Sequence, residues 1–336
     1  MLRLPVIAAC AGLFAAEALA NDTSAELKTG GLVLEKNASV EMRSEDLSIS
    51  LDAIVVRYTF FNRAAKDEDL LVAFPMPDVT WDGPDTNIVI PEPNSPNFLD
   101  FHTSVDGAEV QSQVERKAVF KGQDITARLT QLGVPLEPWN EAIQAKLDAL
   151  AQPDKDRLLK AGIVVPDDYD VGKGWEHHFS PMWTFKSVFT WRQVFPAGRE
   201  ITVEHRYKPS VGETTGTSVG TNYGEPARQR DYAARYCIDR DFLAAVKKAT
   251  PPPDKSGVAV PPFFERRIAY VLTTGANWAG PIGDFHLTID KGAPDSLVSF
   301  CADGVKKTGE TRFEATAKNF TPTRDLNVLI LYRPKP

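Results

Sequence analysis

Hydrophobic and polar residues alternate along much of the chain with a period of two, which is typical of half-buried β-strands. The clearest alternation begins at Ile54 and leads through a polar connection into a short apolar run that ends at Pro75 and Pro77. Proline cannot donate a hydrogen bond to a neighbouring strand, so it ends such a run. We therefore predict a long β-hairpin over residues 54–77.

The alternation returns in the second half of the chain. Large aromatic residues lie on one side of the segment from Met182 to Phe195, and residues 201–207 run back beside it after a Pro-Ala-Gly turn. Five more strand patterns follow between Ile268 and Tyr332. The aromatic stripe favours a buried core, with a stacking platform for sugars or bases as the alternative. Together these patterns predict a mostly β protein.

The hydrophobic period becomes helical between residues 123 and 170. Ile125, Leu129 and Leu132 are spaced four and three apart, Ile143, Leu147 and Leu150 repeat that spacing, and residues 154–161 can form a third helix. Narrow apolar stripes of this kind are typical of amphipathic helices that pack on a larger structure. We predict a small helical insertion over residues 123–170, and a lid or partner-binding element is the alternative.

These patterns divide the chain into four parts. A signal peptide covers residues 1–20, and a first β-sandwich-like domain with the helical insertion covers residues 21–208. Residues 209–265 form a connection that contains a short helix, and residues 266–336 form the second domain. The predicted fold is therefore two antiparallel β-sandwich-like domains.

The first twenty residues have the composition of a secretory signal peptide. An apolar segment from Leu4 to Ala16 precedes an Ala-Leu-Ala triplet that ends at Ala20. The apolar segment is shorter than the roughly 20 residues of a membrane span, and the rest of the chain contains no longer one. We predict cleavage between Ala20 and Asn21 and a periplasmic or secreted mature protein. Lipidation of Cys10 is the alternative.

Cysteine usage fits an oxidising compartment. Cys10 lies in the predicted signal peptide, which leaves Cys237 and Cys301 in the mature chain. Two cysteines outside the cytoplasm predict one disulfide. A nucleophilic thiol is the alternative, although neither cysteine lies in a recognisable catalytic motif.

The overall charge narrows the classes of partner. The formal net charge is −7 at pH 7, and lysine and arginine do not cluster. Nucleic acids and anionic membrane surfaces bind through such clusters. We therefore expect neither as a partner, and we expect no transmembrane segment in the mature chain.

Two short motifs resemble catalytic or metal sites. Residues 216–220 match the G-x-S-x-G pattern of a nucleophile elbow around Ser218, but an elbow requires a strand immediately before and a helix immediately after it. We predict neither there. Glu176 precedes adjacent His177 and His178, whose side chains would point in opposite directions on a strand, whereas zinc ligands share one face. We assign no catalytic residue, metal ligand or cofactor.

Two other residues have structural explanations. His205 shares an apolar side with Val203 and Tyr207, which predicts a core histidine with satisfied hydrogen bonds. Trp278 lies in a Gly-rich stretch between two strands, where it either packs beneath a turn or is an exposed contact residue. The sequence leaves both alternatives open for Trp278.

Segments across nearly the whole mature chain carry a family resemblance. They are NDTSAELKTGGLVLEKN, MRSEDLSISLD, VAFPMPD, YVLTTGANWAGPIGDFHLTIDKG, LVSFC and DLNVLILYRP. The chain resembles, through these segments, a family of secreted bacterial proteins known as domain of unknown function 4424. That resemblance implies no assigned activity.

A second resemblance covers residues 40–208. It is carried by YTFFN, AFPMPD, VDGAEVQSQVERKAVF and FPAGREITVEHRY, which are similar to successive strand ends of the vault protein inter-alpha-trypsin (VIT) domain. The helical insertion departs from that pattern, and no von Willebrand type A domain with its metal motif follows. The metal and ligand roles of that family are therefore not carried over.

The predicted function follows from compartment and composition. We expect an extracytoplasmic, non-catalytic interaction or structural module of the cell envelope, whose partner is an unknown protein or envelope component. A periplasmic hydrolase is the alternative.

Overall fold

The computed structural model describes residues 21–28, 31–221, 225–253, 255 and 259–334. Strands dominate these residues, so the prediction of a mostly β protein is confirmed. The predicted signal peptide, residues 1–20, lies outside the described residues. Within the described ranges, no helix has both the length and the apolar character needed to cross a membrane.

The strands before the helical insertion are β1 (Thr23–Lys28), β2 (Gly31–Glu35), β3 (Val40–Ile49), β4 (Ile54–Asn62), β5 (Glu68–Pro75), β6 (Val79–Thr80), β7 (Ile88–Val89), β8 (His102–Val105), β9 (Ala108–Val110), β10 (Gln113–Phe120) and β11 (Gln123–Asp124). The insertion contains α1 (Thr126–Gln131), α2 (Ile143–Asp148) and α3 (Gln152–Ala161).

The remaining elements are β12 (Val164–Asp170), β13 (Trp175–Pro181), β14 (Thr184–Phe195), β15 (Glu200–Tyr207), β16 (Val211–Thr214), α4 (Pro226–Tyr236), α5 (Arg240–Ala249), β17 (Phe264–Tyr270), a 3₁₀ helix (Thr273–Asn277), β18 (Ile282–Asp290), β19 (Leu297–Phe300), β20 (Lys306–Lys307), β21 (Arg312–Phe320) and β22 (Leu326–Tyr332).

In the described part of the chain, these strands form three large sheets and one hairpin. The eight-stranded sheet has the order β20-β21-β18-β3-β4-β15-β8-β9, and the five-stranded sheet has the order β19-β22-β17-β16-β7. The seven-stranded sheet has the order β11-β10-β14-β5-β1-β2, with β6 also paired to β14. β12 and β13 pair only with each other. β3 and β18 are parallel, which departs from the expected antiparallel arrangement.

The two predicted sandwiches are not separate, because strands from both join the same sheets. β3 pairs with β18 across the predicted connection, and β7 joins β16 and β17 in the five-stranded sheet. One hydrophobic core contains Phe60 and Trp191 from residues 21–208 together with Tyr270 and Ile289. Hydrophobic periodicity assigns strands but does not say which strands become neighbours, so it could not reveal this arrangement.

The hairpin predicted over residues 54–77 is wrong, because its two strands belong to different sheets. β4 lies in the eight-stranded sheet and β5 in the seven-stranded sheet. The buried side chain of Asn62 holds the crossing, since its amide donates to the carbonyl oxygens of Lys66 at 2.9 Å and Phe195 at 2.8 Å. The buried residues of β4 and of β5 therefore contribute to one core from two different sheets.

The helical insertion is shorter than predicted. The described helices α1, α2 and α3 pack on Trp183 and form a small core of their own, and α3 ends at Gly162 with a φ of 73°. Residues 164–170 form β12 instead of helix and pair with β13. The connection predicted over residues 209–265 contains β16 and α4 in addition to the expected helix, α5, whose N-cap is Asp239.

A β-bulge in β3 places a carboxylate in the core. The pairing of β3 with β4 shifts by one residue between Met42 and Ser44. The inward face therefore changes from even to odd positions, and Glu45 becomes buried together with Leu47 and Ile49. A bulge has this effect because one extra residue reverses the alternation of the strand.

Candidate functional site

An apolar cleft of about 670 Å³ opens between the eight-stranded and five-stranded sheets. β18 and β21 form one wall, and β19, the start of β22 and α5 contribute the other. The rings of Phe285 and Phe320 stack on the first wall with centroids 4.6 Å apart. Its apolar lining residues are Phe242, Leu272, Phe285, Leu287, Val298, Phe300, Ala302, Val305, Phe313, Ala315, Ala317, Phe320 and Leu326.

Polar groups and the disulfide lie along the same cleft. Cys237 follows α4, Cys301 follows β19, and the two are joined by a disulfide. Arg324 donates to the carbonyl oxygen of Ala234 at 3.0 Å, so its guanidinium is fixed beside the disulfide. The polar lining residues are Asp239, Ser299, Asp303, Thr316, Thr323, Arg324 and Asp325.

This arrangement suits a ligand with an apolar body and a polar end. Ligand pockets in proteins usually measure roughly 300–1,000 Å³ and combine apolar walls with a few polar groups. Two carboxylates of the lining already have backbone partners, since Asp239 accepts from the amide of Phe242 at 2.7 Å and Asp325 from that of Leu272 at 3.1 Å. These bonds fix the shape of the cleft.

Besides the cleft, the protein contains a cluster of polar residues inside its main core. Glu45 on β3, Tyr58 on β4, His205 on β15 and Tyr270 on β17 surround Asp22, which directly precedes β1. All five are fully or almost fully buried. Burial of polar groups is costly unless they form hydrogen bonds, so the partners of each group decide whether the cluster stabilises the fold.

His205 links the cluster to β8 and to the start of β1. One ring nitrogen, Nε2, lies 2.9 Å from Oδ1 of Asp22, and the other, Nδ1, lies 3.0 Å from the hydroxyl of Thr103. His205 is therefore a buried core histidine with partners on both sides, as its position on the apolar side of the strand predicted.

Asn21 lies within this cluster and forms hydrogen bonds with several of its members. Its side-chain amide donates to Oε2 of Glu45 at 3.0 Å, and its side-chain oxygen accepts from the hydroxyl of Tyr58. Its carbonyl oxygen accepts from the hydroxyl of Thr274 at 2.6 Å. Asn21, the residue after the predicted cleavage site, is thus anchored by both its backbone and its side chain.

Two carboxylate oxygens in the cluster remain unpaired. Oδ2 of Asp22 and Oε1 of Glu45 are buried without a hydrogen-bond partner among the described residues. Burial raises the pKa of Glu45 to about 8, although the hydrogen bond from Asn21 and the neighbouring hydroxyl of Tyr270 act in the opposite direction. Burial also raises the pKa of Asp22, against the opposing effect of His205.

Trp278 packs inside the protein, which decides between its two alternatives. Its indole nitrogen donates to the carbonyl oxygen of Asp22 at 2.6 Å, and its ring lies 4.6 Å from that of Phe60, centroid to centroid. The residue is buried and is not an exposed contact.

Ser218 lies apart from the first cleft. It borders a second cleft of about 720 Å³ whose described lining contains no histidine, aspartate or glutamate. A short strand, β16, does precede it, contrary to expectation, but α4 begins only at Pro226. The strand-turn-helix geometry of a nucleophile elbow is therefore not formed around Ser218.

The adjacent histidines both have carboxylate partners that the sequence did not reveal. His177 pairs with Asp168 at 3.0 Å across the β12–β13 hairpin. His178 lies between Asp148 on α2, at 2.7 Å, and Glu176, at 3.1 Å. Hydrogen bonds from His178 to these carboxylates, first that to Asp148, raise its pKa. The described residues contain no cluster of three or more potential ligands that could hold a metal ion.

Glu45 is one of the residues that the sequence interpretation missed, although a signal for its burial was present in the sequence. The apolar positions of β3 change from even numbers at Val40 and Met42 to odd numbers at Leu47 and Ile49. Such a change of parity within one strand indicates a bulge. Reading it would have placed Glu45 on the buried face.

Comparisons with known proteins support the family resemblance. A protein-family model described as "Domain of unknown function (DUF4424)" matches residues 20–329, whereas a comparison with curated proteins gives no match. A solved structure from Legionella pneumophila, provisionally named a nutrient binding protein, is 15% identical with a TM-score of 0.44, and the alignment covers 93% of this chain and 70% of that one. The resemblance to the VIT domain stays a prediction. Because the family match spans most of the sequence, this chain belongs to the family of domain of unknown function 4424.

Proposed function

We propose that this protein is a non-catalytic interaction module of the cell envelope, and that the apolar cleft binds a small amphipathic ligand there. The cleft is the observation that carries the proposal. It brings together Phe285, Phe313 and Phe320 from one sheet and Phe300 from the other at a solvent-accessible opening. Ligand sites in proteins are typically concave, with mostly apolar walls and a few polar groups, and this cleft has that form.

The chemistry of the lining specifies the kind of ligand. Aromatic and aliphatic walls stabilise an apolar body through burial, at about 25 cal/mol for each Å² removed from water. The side chains of Asp303 and Arg324 at the cleft provide opposite charges that can orient a polar end group. A small molecule with an alkyl or aromatic body and a polar end therefore matches the cleft.

Two features support an extracytoplasmic location. The predicted signal peptide ends at Ala20, and the disulfide between Cys237 and Cys301 is of a kind that persists in oxidising compartments. The disulfide also joins α4 to the end of β19 beside the cleft, so it helps to keep that wall in place.

Native mass spectrometry of protein purified from the periplasmic fraction tests this function. We expect a population heavier than the chain by the mass of one small molecule. Ala317 lines the cleft, so Ala317→Trp should fill it and remove this population, while Ala108→Trp, on an exposed hairpin, should retain it. An unchanged heavy population in Ala317→Trp would contradict the proposal.

Variants at Ser218 and His177, to which we assign no catalytic role, provide a second comparison. Ser218→Ala and His177→Ala should retain the bound species and the cellular phenotype of the parent. Loss of the phenotype in either stably folded variant would favour a hydrolase over a binding module.

A further inference from the structure

Two acceptor atoms of the polar cluster in the main core have no hydrogen-bond donor among the described residues. Oδ2 of Asp22 and Oε1 of Glu45 are buried without a partner among the described residues. The other charged or titratable groups that face them are His205, which occupies Oδ1 of Asp22, and the hydroxyls of Tyr58 and Tyr270, which lie 3.0 Å from each other. A buried carboxylate without a partner is destabilising, and a nearby cation would offset that effect.

The backbone of Asn21 lies within this group of acceptors. Its side-chain nitrogen is 3.0 Å from Oε2 of Glu45, and bond geometry limits the distance between that nitrogen and the backbone nitrogen of the same residue to about 5 Å. Asp22 is its neighbour in the chain. The backbone nitrogen of Asn21 therefore lies within about 8 Å of Oε2 of Glu45, and the chain connects it directly to Asp22.

We propose that Asp22 and Glu45 form a binding site for an α-ammonium group, and that its occupant is the mature N-terminus created by cleavage between Ala20 and Asn21. Hydrolysis of the peptide bond between Ala20 and Asn21 consumes one water, leaves a carboxylate on Ala20, and converts the amide nitrogen of Asn21 into an amine that is protonated near neutral pH. The resulting ammonium group has a positive charge and three hydrogen-bond donors. Two independent observations meet at this residue. The small-residue triplet places the cleavage site before Asn21, and the structure buries Asn21 beside unpaired carboxylate oxygens.

The residues around Asn21 leave space for its side chain and bind the backbone of the first two residues. A β-carbon on Gly275 would lie 2.6 Å from the side-chain nitrogen of Asn21 and 3.1 Å from Cδ1 of Ile282, so glycine leaves the space that Asn21 occupies. Thr274 and Trp278 hold the backbone carbonyls of Asn21 and Asp22. The 3₁₀ helix and its flanks thus position the first two residues of the mature chain.

The consequence is that removal of the signal peptide stabilises the folded protein. An unprocessed chain has a neutral amide where the processed chain has a cation. One oxygen of each buried carboxylate, Oδ2 of Asp22 and Oε1 of Glu45, must then stay protonated or without a partner among the described residues. Full stability is reached only after processing, which couples the folded state to export.

Three chains test this proposal. The first begins with a free Asn21 amine, released from a fusion cut directly before Asn21. The second carries an acetylated Asn21, and the third retains Ala20 as one extra residue. Intact mass confirms each terminus. We expect the free-amine chain to have the highest Tm, with the other two lower by on the order of 5 °C.

Glu45→Gln separates charge from steric effects. Acetylation and extension both add atoms, and a purely steric penalty would persist in Glu45→Gln. If the ammonium pairs with the carboxylate, the difference in Tm between the free and extended chains should shrink by about half or more in this variant, because neighbouring groups are energetically coupled.

The reactivity of the amine gives an independent result. An exposed α-amine is methylated readily near neutral pH, whereas a buried, paired ammonium of Asn21 should react about tenfold or more slowly than that of an unfolded control. Equal Tm values for the three chains, or an Asn21 amine as reactive as the control, would overturn the proposal. So would an exported protein that begins at another residue.

Discussion

Gly283 lies so close to the carbonyl oxygen of Arg43 that a β-carbon on Gly283 would meet this oxygen at 2.5 Å. Gly283 is in β18, and Arg43 occupies the bulge of β3, the strand with which β18 pairs in parallel. The bulge thus needs a glycine on the neighbouring strand. Since the bulge also turns Glu45 inward, Gly283 and the polar cluster depend on the same local geometry.

Gly283→Ala should destabilise the protein by about 1–3 kcal/mol, the usual range for overpacking against atoms that cannot move aside. The contacting atom is backbone, so no side-chain rotation can relieve it. Urea unfolding of the variant and parent measures the difference. Gly216→Ala is the matched control, because a β-carbon on Gly216 would have nothing within 4 Å and should change the free energy of unfolding little. Equal stability of Gly283→Ala and parent would show that the bulge can move.

Glu45 should make stability depend on pH in the chain that retains Ala20. The pKa of Glu45 is raised from 4.5 to about 8 in the folded state, so the folded state binds its proton more tightly than the unfolded state does. The contribution of Glu45 to stability is therefore greatest below pH 4.5 and decreases as the pH rises towards 8, by on the order of 5 kcal/mol at most. Asp22, whose pKa is also raised, acts in the same direction.

Urea unfolding between pH 5 and pH 9 checks this dependence. Glu45→Gln should flatten the curve and raise the stability at high pH, and the exposed Asp52→Asn should not. In the chain that begins at Asn21, we expect a smaller pH dependence because the terminal ammonium stabilises the ionised carboxylate. A Glu45→Gln variant with the full pH dependence of its parent would contradict the assignment.

The disulfide should contribute about 4 kcal/mol, since it closes a loop with a sequence separation of 64 residues. The double variant Cys237→Ser with Cys301→Ser should unfold at correspondingly lower urea concentration. Thiol labelling after denaturation without reductant should detect no free thiol in the mature parent. Two labelled thiols in that experiment would exclude the bond.

His178 should titrate above its ordinary range, because Asp148 and Glu176 both stabilise its charged form. Its pairing between β13 and α2 stabilises the folded protein fully when the pH is below the pKa of His178 in the unfolded state. This contribution is lost as the pH rises through the higher pKa that His178 has in the folded state. NMR titration of the imidazole measures that pKa. Asp148→Asn should lower it, and an unchanged pKa would show that the Asp148 pair does not form in solution.

The sequence predicted elements better than it predicted their arrangement. The strands β4, β14 and β15 and the helices of the insertion follow from hydrophobic period, which is a local property. The parallel pairing of β3 with β18 and the separation of β4 from β5 depend on contacts between residues far apart in the chain. Local patterns carry no information about these contacts.

For the candidate sites too, local patterns predicted single residues but not their long-range contacts. His205 was predicted as a core residue because its neighbours on the strand are apolar, but its contact with Asp22 joins residues 183 positions apart. The apolar residues of the cleft look like ordinary core positions in the sequence. Only the three-dimensional structure shows that β21 faces β19 and the start of β22 across a cleft of about 670 Å³.

The binding of an uncharged fluorescent apolar probe, N-phenyl-naphthylamine, tests the central claim most directly. The mature parent should bind it with saturable, one-to-one stoichiometry. The account predicts that Ala317→Trp, which fills the cleft, weakens binding by about tenfold or more, equivalent to roughly 1.4 kcal/mol, while Ala108→Trp binds as the parent does. Equal affinity of Ala317→Trp and the parent, with both proteins folded, would contradict the assignment of the cleft as the ligand site.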